Sequence, residues 1–240
     1  MAMAAPIHMS TAHPRMTIHM QDPMSTAIDP RLLTLTQWLS PAYPVGSFAF
    51  SHGLESAIAN GWVHDEVSLQ GWLNDLLHHG SGKADAIWIR LGYEAPDAAA
   101  VLALNAEAKA FAPAAERLRE ATRQGAAFAQ ITADVWQITL PPLLMPVALG
   151  RAAHLLGLDV TAATTLYLQA FVSNLASAAQ RLMPLGQTGA QRVIAQMVPA
   201  CLACARAAAT AQLNDIASSA FLSDVAAMQH ETLQPRLFQS

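Results

Sequence analysis

An all-α fold, a single globular bundle of about eight to ten helices, is predicted by three observations. Apolar residues recur at three- and four-residue spacing along most of the 240-residue chain. No alternating period-two pattern persists, and no Asn-Gly or Asp-Gly pair joins two such runs as a hairpin turn. Pro, Gly, Asn and Asp punctuate the sequence at helix-length intervals. No repeat of 20 to 50 residues is visible, which argues against a solenoid. The length suits one sizeable core.

Residues 1–28 are rich in Met, His, Ser, Thr and Pro without a continuous apolar run. They read as a disordered segment and not as a signal peptide. His8, His13 and His19 there read as incidental. The first helix carries Leu32, Leu33, Leu35, Trp38 and Leu39 and stops where Pro41 and Pro44 remove backbone donors. A kinked loop follows, with Gly46 free to take a positive φ, Ser47 or Ser51 as an N-cap, and Phe48 and Phe50 as core plugs. Leu54, Ala57 and Ile58 resume helical spacing until Asn60-Gly61.

Asp65 or Ser68 caps a helix bearing Trp72, Leu73, Leu76 and Leu77, which Gly80 ends. A helix over 84–95 is closed by Pro96, and Asp97 caps the next, through Phe111. Beyond Pro113, Leu118, Ala121, Phe128, Ile131 and Val135 form an apolar stripe. Glu116 with Arg119 and Glu120 with Arg123 read as i,i+3 pairs on a solvated opposite face. Pro141, Pro142 and Pro146 break the chain before Val147 to Gly157. Val160 to Gln180 carries no charge, but its Thr, Ser, Asn and Gln make it a buried bundle helix and not a membrane span. The last long helix, 190–211, should kink or split at Pro199.

Charged residues make up 12% of the chain and hydrophobic ones 53%, about half the charged share of an average soluble domain. So little charge implies a surface partly covered by other proteins. The net charge of −4 offers no basic face for nucleic acid. Cys201 and Cys204 form no disulfide framework and suit a reducing, cytoplasmic setting; in Ala-rich helical sequence they read as packing residues.

Catalytic constellations are missing. His78-His79-Gly80-Ser81-Gly82-Lys83 lacks the first glycine of a phosphate loop, because Leu77 stands in its place. Ser51-His52-Gly53 is no nucleophile elbow, and His52 with Glu55 has no third group to orient it. The chain reads as a non-enzyme with no tightly bound cofactor and no metal site.

Three stretches carry a resemblance. Pro44-Val45-Gly46-Ser47-Phe48-Ala49-Phe50-Ser51-His52-Gly53-Leu54-Glu55, Arg181-Leu182-Met183-Pro184-Leu185-Gly186-Gln187-Thr188, and His230-Glu231 with Arg236-Leu237-Phe238-Gln239-Ser240 are, in this order, similar to the boxes of the UreF family of urease accessory proteins. The chain departs at Gly189-Ala190, where members often carry Asp-Gly. The resemblance implies an all-helical, commonly dimeric protein without catalytic activity. Such a protein binds UreD (UreH) and apo-urease, recruits the GTPase UreG, and so helps nickel reach the urease active site. It modulates or gates the GTPase.

Partner contacts are then expected from Pro44, Gly46, Phe48, Ser51, Gly53 and Glu55, from Arg181, Leu185, Gly186, Gln187 and Gln191, and from His230, Glu231, Arg236, Leu237 and Phe238. Residues 29–228 form the helical domain, and 229–240 a tail ordered by a partner, at about 1 to 2 kcal/mol per residue fixed. Leu185-Gly186-Gln187 reads as a helix-ending turn with Gly186 at C′. Two alternatives stand beside the scaffold reading. One is a nickel carrier using the histidines and the cysteine pair. The other is an activator that inserts Arg119, Arg123 or Arg181 into UreG.

Overall fold

The computed structural model describes residues 29–240, so the reading of 1–28 lies outside the described residues. Among the described residues there are ten α-helices: α1 Pro30–Trp38, α2 Leu54–Ala59, α3 Glu66–His79, α4 Ser81–Glu94, α5 Ala98–Ala110, α6 Ala115–Trp136, α7 Met145–Leu155, α8 Val160–Leu182, α9 Gly186–Ala208 and α10 Phe221–His230. No strand occurs among the described residues, and the all-α expectation holds.

Four of the ten starts are set by short acidic caps. Asp29 accepts the Arg31 N–H ahead of Pro30, Asp65 and Ser68 form a reciprocal capping box, and Asp97 and Asp159 accept from Ala100 and Ala162. Gly80 separates α3 from α4 with no loop between them, so the failed phosphate loop is a helix junction.

Helix α8, without a charge until Arg181 in its last turn, runs through the middle and touches α1, α2, α3, α4, α7 and α9. Several of its polar side chains bond backbone carbonyls, which lets the helix sit in the bundle. Thr164 Oγ1 donates to the Val160 carbonyl at 2.8 Å, Ser177 Oγ to Ser173 at 2.9 Å, and Asn174 Nδ2 reaches the Phe50 carbonyl at 3.2 Å. No described helix is long and apolar enough to cross a membrane.

Two expectations about α9 change. The helix does not split at Pro199, because that residue is solvent-exposed and the ring and its missing N–H fall on the outer side. Gly186 does take a positive φ of 69°, but it opens α9 and does not close α8, which ends at Leu182. The tail boundary at 229 falls inside α10, which runs to His230.

Helices α4 and α7 meet backbone to backbone. A Cβ on Gly150 would overlap the Ile89 carbonyl oxygen, and one on Gly92 would sit 2.9 Å from the Val147 oxygen. On an open helix face Gly→Ala gains about 1 kcal/mol. Here Gly150→Ala is predicted to lower stability by about 1 to 3 kcal/mol, read by denaturant unfolding. An unchanged or raised midpoint would refute this packing.

Candidate functional site: a charge cluster under the C-terminal segment

The loop after α1 turns twice through left-handed glycines, Gly46 at φ 74° and Gly53 at φ 76°. The two have different reasons. Gly46 has open space around it, so only its conformation matters. At Gly53 a Cβ would lie 2.6 Å from the Ala227 nitrogen, because α10 packs directly on this turn. The short α2 that follows buries Glu55 in its first turn, where α6, α10 and the C-terminal segment converge.

Glu55 is the hub. Its Oε1 accepts the Leu237 N–H at 2.6 Å, and its Oε2 accepts the Phe238 N–H at 2.8 Å and faces His230 Nε2 at 3.1 Å. The other His230 nitrogen lies 2.7 Å from Glu116 Oε2, so one imidazole ring bridges the two carboxylates. Glu116 also holds Arg236 at 2.6 Å. Ser51 N donates to the Ser240 carbonyl at 2.9 Å, and Gln239 N to that of Ala49 at 2.9 Å. Ser240 Oγ donates to Glu120 at 2.8 Å. Phe238 is buried, with the Arg181 guanidinium 4.3 Å from its ring centroid; Arg181 also donates to the Phe48 carbonyl at 3.1 Å.

One arginine therefore clasps the first box to the third. The segment expected to await a partner is docked within the isolated chain.

A second layer lies beneath. Glu120 binds Arg117 and sits 2.8 Å from His52 Nε2, while Gln124 Nε2 donates to it at 3.0 Å. Burial works to raise the Glu120 carboxyl, but Arg117, His52 and the hydrogen bonds from His52 and Ser240 outweigh it and hold it at about 2. His52 is pushed down by burial and by Arg117 against the pull of Glu120. No carboxylate is left alone. Glu55, Glu116 and Glu120 face His230, Arg236 and Arg117, and carboxylates this deeply buried require such partners.

This corrects the reading of α6. Glu116 and Glu120 are not on a solvated face paired with Arg119 and Arg123; both are buried and find partners from α10, the tail and the loop. Arg119 and Arg123 are exposed, and Arg123 reaches the Gln239 side chain at 2.8 Å. Nor does His52 pair with Glu55, since each has a different partner. Of the two phenylalanines read as core plugs, Phe50 is buried and Phe48 is 69% exposed.

The remaining predicted residues lie at the surface. Pro44, Gly186, Gln187 and Gln191 are exposed and Leu185 is half-buried, and none joins the cluster's bonding. Leu237 is 57% exposed although its backbone is bound. Glu231 accepts the Ala115 N–H at 2.9 Å, supplying from a distance the cap that Ala114 cannot give α6. Cys201 and Cys204 are buried, and burial pushes their thiols up to about 11 and about 12, so both stay protonated. Among the described residues no group of three or more His, Cys, Asp or Glu is placed to hold a metal ion.

The fold and site thus define an all-helical protein whose buried charges are spent on its own tail and whose motif boxes leave apolar side chains facing outward. The UreF family model matches residues 63–198, more than half of the chain. Urease accessory protein UreF of Ruegeria pomeroyi is 46% identical over 217 residues, covering 90% of this chain and all of that protein. The UreF proteins of Cereibacter sphaeroides and Rhodopseudomonas palustris are 49% and 41% identical, covering 87% and 91% of the chain and 98% and 95% of their own lengths. The chain belongs to the UreF family of urease accessory proteins.

Glu55→Ala is predicted to free the tail. Losing charge-assisted bonds of about 1.5 to 3 kcal/mol each should raise tryptic cleavage after Arg236 by roughly a hundredfold. Equal cleavage of variant and parent would contradict the hub. Glu120 also makes a pH prediction. Its carboxyl lies below the ordinary 4.5 in the folded chain, so its contribution is complete above that pH and is lost as pH falls toward about 2. The stability gap between parent and Glu120→Gln should be full at pH 7 and shrink by up to about 3 kcal/mol below pH 4.5. A gap independent of pH would show that Glu120 is not held ionised.

Proposed function

We propose that this chain is a non-catalytic scaffold and regulator of urease maturation. In this reading it binds UreD (UreH) and apo-urease and recruits the GTPase UreG while nickel, as cargo, is inserted into the urease active site. It works in the cytoplasm, as a homodimer, and holds no cofactor of its own. The relatives' printed name, urease accessory protein, supports the setting. One structural observation carries the scaffold part. On the two segments clasped by Arg181, the polar groups of the motif boxes turn inward while Phe48 and Leu237 project outward, 69% and 57% exposed. Apolar side chains on a rigid mount are suited to a partner's pocket.

A second reading, activation of UreG by an inserted arginine, is supported by Arg119. It is exposed on α6 and makes no hydrogen bond or ion pair among the described residues. Arg181 is less suited, being engaged with Phe48 and Phe238.

Light scattering after size-exclusion chromatography tests the scaffold reading. The parent chain is predicted to form a complex with UreD, and Phe48→Ser with Leu237→Ser to weaken it by at least about tenfold, since each hot spot contributes on the order of 2 kcal/mol. Failure of the parent chain to bind would sink the reading. Normal binding by the double variant would move the contact elsewhere. For the second reading, an Arg119→Ala chain that leaves UreG turnover unchanged in the assembled complex excludes an arginine finger, which contributes about 10³ to 10⁵ in rate.

A further inference from the structure

Between α4, α5, α6 and the start of α7 lies a pocket of about 80 Å³ that the tail cluster does not use. Trp88 and Phe111 form one wall, edge to face with ring centroids 6.1 Å apart, and Leu118 and Leu144 line it further. Into this apolar wall α4 brings the half-buried Asp85. Its Oδ2 accepts the Tyr167 hydroxyl at 2.8 Å, and its Oδ1 has no hydrogen-bond partner among the described residues. Burial pushes the Asp85 carboxyl up to about 6, against the opposing pull of Arg117 and the Tyr167 bond.

The other charged groups lining the pocket are Arg117 of α6 and Asp224 of α10. Arg117 is already neutralised by Glu120, and Asp224 accepts the Ser218 hydroxyl at 2.8 Å. A carboxylate with one oxygen left without a hydrogen bond, beside aromatic and aliphatic walls, selects a cation with a carbon body. An anion would meet two carboxylates, and a neutral apolar guest would leave Oδ1 unpaired in a drier site. A metal ion would find too few ligands.

We propose that this pocket binds a short alkylammonium group, its nitrogen on Asp85 Oδ1 and its carbons against Trp88, Phe111 and Leu118. The volume admits a chain of about three or four heavy atoms. Such a group comes either from a free amine or from the tip of a partner's lysine. The inference is independent of the accessory reading and needs no urease component.

Ligand-observed saturation-transfer NMR on the full chain tests it, with n-propylammonium, the neutral isostere 1-propanol, and Nα-acetyl-lysine methylamide as probes. Propylammonium should bind at least about tenfold more tightly than propanol. Asp85→Asn, whose amide oxygen can still accept from Tyr167, should erase that preference. Ala121→Leu, which fills the pocket from the α6 wall, should remove both signals while the circular dichroism spectrum stays unchanged. Tighter binding of the lysine probe assigns the group to a partner's side chain, and tighter binding of propylammonium assigns it to a free amine. Equal binding of propanol, ammonium binding that survives Asp85→Asn, or no binding of either amine at tens of millimolar would overturn the proposal. If Asp85→Asn fails to fold, the propanol comparison on the parent chain and the Ala121→Leu variant still decide it.

Discussion

The carboxylate of Glu55 is the constraint on which the rest depends. Buried on a six-residue helix, it must be met by donors or it would cost several kcal/mol. The chain meets it with two backbone N–H groups of its own tail and a histidine from the end of α10. That choice fixes the C-terminal segment. Once Leu237 and Phe238 are held by their backbones, Phe238 drops under Arg181, Arg236 falls on Glu116, and Ser240 reaches Ser51 and Glu120. Gly53 belongs to the same constraint, because only a residue without a side chain lets α10 come close enough to deliver His230.

The clasp also sorts the motif residues by direction. Ser51, Glu55, His230 and Phe238 point inward and shape the surface, whereas Phe48 and Leu237 are what that surface shows. A partner that reads Phe48 and Leu237 therefore reads a mount whose rigidity depends on charges it never touches. This explains how a chain with 12% charged residues can keep several of them out of solvent. They act as fasteners, and solubility is left to the polar uncharged residues.

Much of this was legible in the sequence. Caps at Asp65 and Asp97, the stops at Pro41 and Gly80, and the charge-free run over Val160 to Gln180 each follow from local rules, and the helices formed accordingly. The two outer boxes and Arg181 were visible as unusual stretches. Glu116 and Glu120 were not, because an i,i+3 arginine is the nearest partner in sequence. The true partners are His230 and His52, far along the chain, and for Glu120 also Arg117, one turn back on α6 instead of one turn on. Local pairing rules carry a few tenths of a kcal/mol and lose to a buried, fully bonded arrangement. The same holds for α10. Its apolar residues sit beyond the last periodic run, and only its packing on α2 and α6 shows why it forms. One signal was available: a chain end carrying Arg, Phe and Ser together with an upstream Glu that has no local partner.

Hydrogen exchange of the Leu237 and Phe238 amides in the isolated chain tests the central claim most directly. Bound to Glu55, both are predicted to exchange as slowly as amides inside α2, opening only with that helix. Exchange at the rate of an unstructured peptide would show that the tail is free and that Glu55 answers to something else.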